Sequence, residues 1–320
     1  MEETKTIVLP DGRNLAYAVL GDTGDDKPTV FHFHGFPGSH HEAAIYAPAA
    51  ARHGIRLVGI SRPGSGGSTF QQNRRLLDWP ADVRALADHL CIKRPFGVLG
   101  ISGGGPYAWA CWRSGMDEQD PDAELPRSML AACAVVGGIG PPSFGFGGMP
   151  MSSRAIFWLS QWSTALVGAG FDYSMGKAAR DQPEQLAASI DDMYLSGSRG
   201  EADKEVWGRE EFAFCRQALL ESLKAAIKDA GAPGPSWEAK VLGAPWGFEL
   251  NELKATSKGQ VVIWHGGQDM NVPIEMARKS AALVQGAESR IWDKEAHASM
   301  IVRSTDHVIE ALAEGLTRES

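Results

Sequence analysis

The stretch GISGGGPYAWA, residues 100–110, sets one serine among glycines and then runs through proline into apolar residues. Glycine loses the most backbone freedom on folding, so three in succession point to a local geometry that demands them. Gly100-Ile101-Ser102-Gly103-Gly104 fits G-x-S-x-G, in which the serine sits on a strained turn between a strand and a helix with its hydroxyl exposed. Side chains two before and two after the serine would collide across that turn, which accounts for Gly100 and Gly104. Gly103 leaves its own amide free to face a developing oxyanion, and Gly105 lets the following helix approach the sheet. Pro106 suits a helix's first turn, where amides lack intrahelical acceptors. A dinucleotide-binding G-x-G-x-x-G does not fit. Ser102 takes the place of its second glycine, and the motif follows several strands instead of opening the first βαβ unit.

Working outward, 96–101 reads as a buried strand entering the turn and 107–113 as the helix leaving it. Upstream, strands are expected at 5–9 and 14–20, joined by Asp11-Gly12, and at 29–33 and 55–60. Helical periodicity covers 41–52 and 77–91. Downstream, strands are expected at 129–136, 260–265 and 290–292, with helices from 273 and over 306–316. Strands alternating with helices predict right-handed βα units and a mainly parallel sheet. From 140 to 256 the pattern gives helix-like segments and loops, bordered by Gly- and Pro-rich stretches at 137–150 and 231–245. The chain therefore divides into an α/β core (1–139 and 256–320) and a helical insertion (140–255).

A serine hydroxyl needs a neighbouring base to become a useful nucleophile. Behind a G-x-S-x-G elbow the acid and then the histidine follow in chain order. Three of the nine histidines lie downstream: His265, His297 and His307. His265 ends an expected strand and reads as a packing or turn residue. His307 falls in the amphipathic terminal helix, where a solvated side chain is the ordinary outcome. His297 lies in an expected loop after the last strand, from which a base can reach over the strand ends. Asp269 follows the 260–265 strand and is favoured as the acid, because catalytic groups gather at the carboxyl ends of parallel strands. Asp293, four residues before His297, is the rival. The oxyanion hole would combine the Gly103 and Phe36 amides, the second from His34-Gly35-Phe36-Pro37-Gly38 after the 29–33 strand.

Composition narrows the function classes. The net charge of −8 and the lack of a Lys/Arg run speak against a nucleic-acid partner. The four cysteines form no C-x-x-C pair and are expected as buried free thiols, not as a zinc site or disulfide framework. His32, His34, His40 and His41 cluster without an acidic or cysteine ligand at metal-site spacing, so no metal is expected. No secretory signal precedes the first strand, and the most apolar run, 155–170, is too short and too polar to span a bilayer. The expectation is a cytoplasmic protein without stable membrane insertion.

Together HGFPGS (34–39), SRPGSGGS (61–68), GISGGGPYAWA, HGGQDMNVP (265–273) and KEAHASM (294–300) resemble the α/β-hydrolase superfamily over nearly the whole chain. That resemblance implies an α/β-hydrolase fold: a mainly parallel, eight-stranded sheet flanked by helices, with a helical cap inserted after the sixth strand. It implies Ser102 as nucleophile, Asp269 as acid, His297 as base, Phe36 and Gly103 as oxyanion hole, and no cofactor. Ser61 stands where relatives often carry aspartate, a change expected to alter loop hydrogen bonds and not chemistry. Ser102 argues against the epoxide hydrolases and haloalkane dehalogenases, whose nucleophile is aspartate. The Gly-Gly-Ser-Trp-Gly elbow of proline iminopeptidases is absent. The insertion is rich in aromatics and methionine, and Phe36, Trp158, Trp162 and Met270 are the candidates for substrate contact. The resulting expectation is a serine hydrolase of small hydrophobic carboxylic esters. An acyltransferase, a carbon–carbon bond hydrolase and a non-catalytic ligand-binding protein remain as alternatives.

Overall fold

The computed structural model describes residues 3–116, 124–195, 200–228 and 233–317. Its strands are β1 (Lys5–Val8), β2 (Asn14–Gly21), β3 (Thr29–Phe33), β4 (Arg56–Ile60), β5 (Phe96–Ile101), β6 (Leu130–Val136), β7 (Val261–Gly266) and β8 (Glu288–Trp292). They form one sheet in the order β1-β2-β4-β3-β5-β6-β7-β8. β1 and β2 pair antiparallel with their neighbours, and every pair from β4 to β8 is parallel. Strands β3, β4, β5 and β7 are buried along their whole length. Such continuous apolar runs belong to strands covered by helices on both faces.

The covering helices of the core are α1 (Ala47–Arg52), α2 (Trp79–His89) and α3 (Gly105–Ser114). The segment between β6 and β7 contains α4 (Met151–Trp162), α5 (Thr164–Phe171), α6 (Lys177–Asp181), α7 (Pro183–Leu195), α8 (Glu201–Gly208), α9 (Ala213–Ile227) and α10 (Gly234–Gly243). The core is completed by α11 (Ile274–Leu283), α12 (His297–Arg303) and α13 (Thr305–Thr317). No strand occurs between β6 and β7 among the described residues. The end of that segment belongs to the core by packing: Ala239, Leu242, Trp246 and Leu250 join the same buried cluster as Phe31, Trp79 and Trp109. α3 is apolar all round and buried from Gly105 to Trp112, as a helix sandwiched between layers must be.

Several local readings change with the fold. The first helical stretch is a 3₁₀ segment, His40–Tyr46, running into the short α1. His297 opens α12 and does not lie in a loop, because Ala298, Met300 and Ile301 bury an apolar face that a loop could not satisfy. All four cysteines are free; Cys111 and Cys133 are buried, whereas Cys91 is exposed. No helix among the described residues is long and apolar enough to cross a membrane.

The elbow's glycines do more than span a turn. A methyl at Gly100 would meet the Gly104 carbonyl oxygen at 2.5 Å, the clash across the turn that the motif implies. One at Gly104 would instead overlap the carbonyl of Phe33 at the end of β3, so this glycine fixes how closely β5 and β3 deliver their loops. Gly104→Ala is expected to destabilise the fold by ~3 kcal/mol or more, as backbone overlap in a core does. Gly147→Ala, whose methyl meets nothing within 4 Å, should change stability by less than about 0.5 kcal/mol. Urea unfolding of the two variants checks the contrast, and equal losses would refute it.

Candidate active site

Four loops at the carboxyl ends of parallel strands meet above the sheet: those after β3, β5, β7 and β8. Ser102 leaves β5 with φ of 50°, a left-handed conformation that a serine adopts only under constraint. Its Oγ lies 3.1 Å from His297 Nε2, and His297 Nδ1 lies 2.7 Å from Asp269 Oδ2. The structure thus brings Ser102, Asp269 and His297 into one hydrogen-bonded string. Asp293 is exposed in the turn after β8.

Asp269 has a fully buried side chain. Its Oδ1 accepts the Asn271 and Val272 amides, each at 2.8 Å, which leaves Oδ2 for the imidazole. Burial alone would raise its pKa, but the neighbouring His297 and these hydrogen bonds hold it below the usual carboxylate value. His265 reaches the same loop, with Nε2 2.9 Å from the Val272 carbonyl and 3.4 Å from Asp269 Oδ2. Burial lowers the His265 pKa, so the ring is neutral and donates to that carbonyl. His265 therefore braces the acid's loop, a role its strand-end position left unread.

His297 is held from the insertion. The buried Asp203 of α8 accepts the Ser299 amide at 2.8 Å, and the Ser299 hydroxyl accepts the Ala296 amide at 2.8 Å. These contacts satisfy amides in the first turn of α12, which have no intrahelical acceptor. Nothing in the local sequence marks Asp203, because its partner lies far along the chain.

The Phe36 loop is fastened through its carbonyls. Arg62 donates to the carbonyls of His34 at 2.5 Å and Gly35 at 2.8 Å. His34 Nε2 accepts the Arg62 amide at 3.2 Å, so its Nδ1 carries the proton and donates to Gly35 at 2.8 Å. A peptide's C=O and N–H point in opposite directions. Gripping the Gly35 carbonyl therefore orients the Phe36 N–H of the same peptide. A methyl on Gly103 would lie 3.2 Å from the Phe36 nitrogen, so the two residues pack directly against each other.

Arg62 is itself fully buried, 2.7 Å from Glu238 on α10, and Glu238 also pairs with Arg74. Tyr107 completes the cluster, its hydroxyl donating to Glu238 at 2.9 Å and its ring lying 4.6 Å from the Arg62 guanidinium. Burial would raise the Glu238 pKa, but the two guanidiniums reverse this and keep the carboxylate ionised at neutral pH. Ser61 pairs with His40, its Oγ accepting the backbone amide at 2.9 Å and meeting Nδ1 at 2.7 Å. His34 and His40 are thus engaged within the protein. Among the described residues no group of three or more His, Cys, Asp or Glu side chains could hold a metal ion.

Ser102 and His297 face a cavity of about 360 Å³, lined among others by Phe36, Met149, Ile156, Phe157, Phe171 and Leu219. Phe36 reaches into it, with ring centroids 6.2 Å from Phe157 and 6.0 Å from Phe171. Trp158, Trp162 and Met270 are a correction to the expected substrate contacts: they are 63%, 78% and 50% exposed, and none lines the cavity. Ser153, Ile156 and Phe157 turn the inner face of α4 to the cavity, so Trp158 and Trp162, one turn apart, share the outer face.

Residues 28–111 match the family described as alpha/beta hydrolase fold. No curated protein matches the chain. Solved structures do. An esterase from Exiguobacterium antarcticum is 14% identical, with a TM-score of 0.64, over 99% of this chain and 100% of that one. An esterase from Rhodococcus is 18% identical, with a TM-score of 0.62, over 98% and 99%. A bromoperoxidase from Bacillus anthracis is 14% identical, with a TM-score of 0.62, over 99% and 100%. The chain has the α/β-hydrolase fold.

Glu238→Ala would leave two buried guanidiniums without their carboxylate. The expected loss is on the order of 3–5 kcal/mol of stability, as for one partner removed from a buried ion pair. Denaturant unfolding measures it; a loss below about 1 kcal/mol would refute the buried network as a structural tie.

Proposed function

We propose that the protein is a serine hydrolase that cleaves small hydrophobic carboxylic esters through an acyl-enzyme on Ser102. The carrying observation is the Ser102–His297–Asp269 string opening into a cavity whose walls are mainly apolar. As the Ser102 oxygen bonds to the ester carbonyl carbon, its proton passes to His297 Nε2. The carbonyl electron pair moves onto oxygen, which the Phe36 and Gly103 amides face. Collapse of this intermediate breaks the bond to the alcohol oxygen, which takes the proton from His297. A water molecule then repeats the sequence on the acyl-enzyme and releases the acid. Asp269 holds the tautomer that presents Nε2 as acceptor and stabilises the imidazolium. The apolar wall supports a hydrophobic acyl or alcohol group, and the esterases among the similar folds are consistent with that chemistry.

Purified protein is expected to react with a fluorophosphonate at Ser102 and to turn over p-nitrophenyl esters across a series of acyl lengths. Ser102→Ala should lose on the order of 10⁴-fold or more in kcat and all labelling. Labelling without turnover of any ester, but with transfer to an added alcohol, would replace hydrolysis by acyl transfer. Absence of labelling would overturn the nucleophile.

The acid can be tested apart from the nucleophile. Asp269→Asn should lower kcat by on the order of 10³–10⁴, because the imidazole loses its tautomer. Asp293→Asn should stay close to wild type, its carboxylate lying exposed beyond the string. Steady-state kinetics on the same ester rank the two, and the reverse order would reassign the acid.

A further inference from the structure

We propose that Glu42 is a positioning residue of the oxyanion peptide, an inference that rests on the serine-hydrolase reading above. Glu42 lies in the 3₁₀ segment after the Phe36 loop and is 4% exposed, yet it borders the cavity beside Ser102 and His297. Both carboxylate oxygens accept the Gly35 amide, at 2.9 and 3.1 Å. A methyl on Gly35 would lie 3.2 Å from Glu42 Oε2 and 3.7 Å from the Ser102 Cβ, so this backbone runs between carboxylate and nucleophile.

The anchoring has two halves. Arg62 and His34 hold the carbonyls of residues 34 and 35, and Glu42 holds the amide between them. The His34–Gly35 peptide is thereby gripped at its oxygen by a cation and at its nitrogen by an anion. The next peptide carries the Phe36 N–H. Arg62 and His34 hold this second peptide at its oxygen and Glu42 fixes the plane before it, so both anchors together set the direction of that N–H. A buried carboxylate is a costly way to cap one amide unless the amide's orientation matters. On β3, His32 Nε2 lies 3.8 Å from Glu42 Oε1.

The surrounding charges set its titration. His32 on β3 is kept neutral by burial and by the Arg62 charge, its pKa lowered to about 3. Arg62 after β4 and His297 on α12 favour the carboxylate, while Tyr46 faces it from the same segment and Cys215 on α9 lies beyond Tyr46. Burial outweighs the Gly35 hydrogen bond and these charges, and pushes the Glu42 pKa up to about 7. The charged acceptor is therefore present above neutrality and is lost as pH falls through that value.

Glu42→Ala removes the acceptor, and Glu42→Gln keeps a neutral one. Glu42→Ala is expected to lower kcat by roughly 10- to 100-fold, less than deletion of an oxyanion donor outright, with KM within about twofold. It should weaken a trifluoromethyl ketone, which forms an oxyanion on Ser102, by the same factor. An isosteric ether without a carbonyl should bind unchanged. Glu42→Gln should recover most of the loss, and its deficit against wild type should vanish as pH falls through about 7, where the wild-type group is neutral. A variant with reduced KM effects only, or unchanged ketone affinity, would overturn the proposal. So would a Glu42→Gln protein whose loss falls on KM and not on kcat and ketone affinity, which decides the matter even if Glu42→Ala does not fold. A wild-type protein that forms no ketone adduct would refute the serine-hydrolase reading itself, a result distinct from an adduct that Glu42 does not influence.

Discussion

A single buried ion pair, Arg62 with Glu238, fixes much of what the active site requires. Arg62 comes from the loop after β4 and Glu238 from α10, and both side chains are almost fully removed from water. Charges in such a place are stable only when their hydrogen bonds are satisfied. Arg62 donates through its two terminal nitrogens to successive carbonyls of the Phe36 loop, Glu238 takes in Arg74 and Tyr107 on Oε2, and Arg62 Nε faces Glu238 Oε1 at 2.7 Å as an ion pair. The pair therefore joins the sheet, the returning end of the insertion and the Phe36 loop. It holds two successive carbonyls of that loop.

The same principle governs the base. His297 begins a short helix whose Ser299 amide is met by Asp203 from α8, so the segment between β6 and β7 is tied to His297 as well as to the Phe36 loop. The cavity lies between these two attachments. Its walls come from α4, α5, α7, α8 and α9 above and from Ser102, Ile139 and Val272 below. The segment between β6 and β7 therefore touches the cavity wall, the His297 helix and the Arg62 anchor of the Phe36 loop together.

Much of this was legible in the chain. The glycine pattern around Ser102, the alternation of strands and helices, and the place of Asp269 and His297 after successive strands are local or depend on order along the chain. Apolar runs buried on both faces read directly as central strands. Backbone geometry at an elbow is imposed by steric overlap between near neighbours, so the residue types there carry the message unaided.

Partnerships across the fold were not legible. Trp158 and Trp162 have the character of pocket residues, and only the rotation of α4 against the core turns them outward and Phe157 inward. His297 begins a helix because the packing of α12 and the carboxylate of Asp203 reward one there. Glu42, Asp203 and Glu238 bear no motif, since each acts on a partner that only the folded chain presents to it. Sequence by itself determined the layered fold, the elbow and the order of the reactive groups, because steric and periodic constraints act between neighbours in the chain. Tertiary structure alone decided the anchoring of the Phe36 loop, the shape of the cavity and the faces of its helices, because buried charges and helix rotations are settled only by what packs against them.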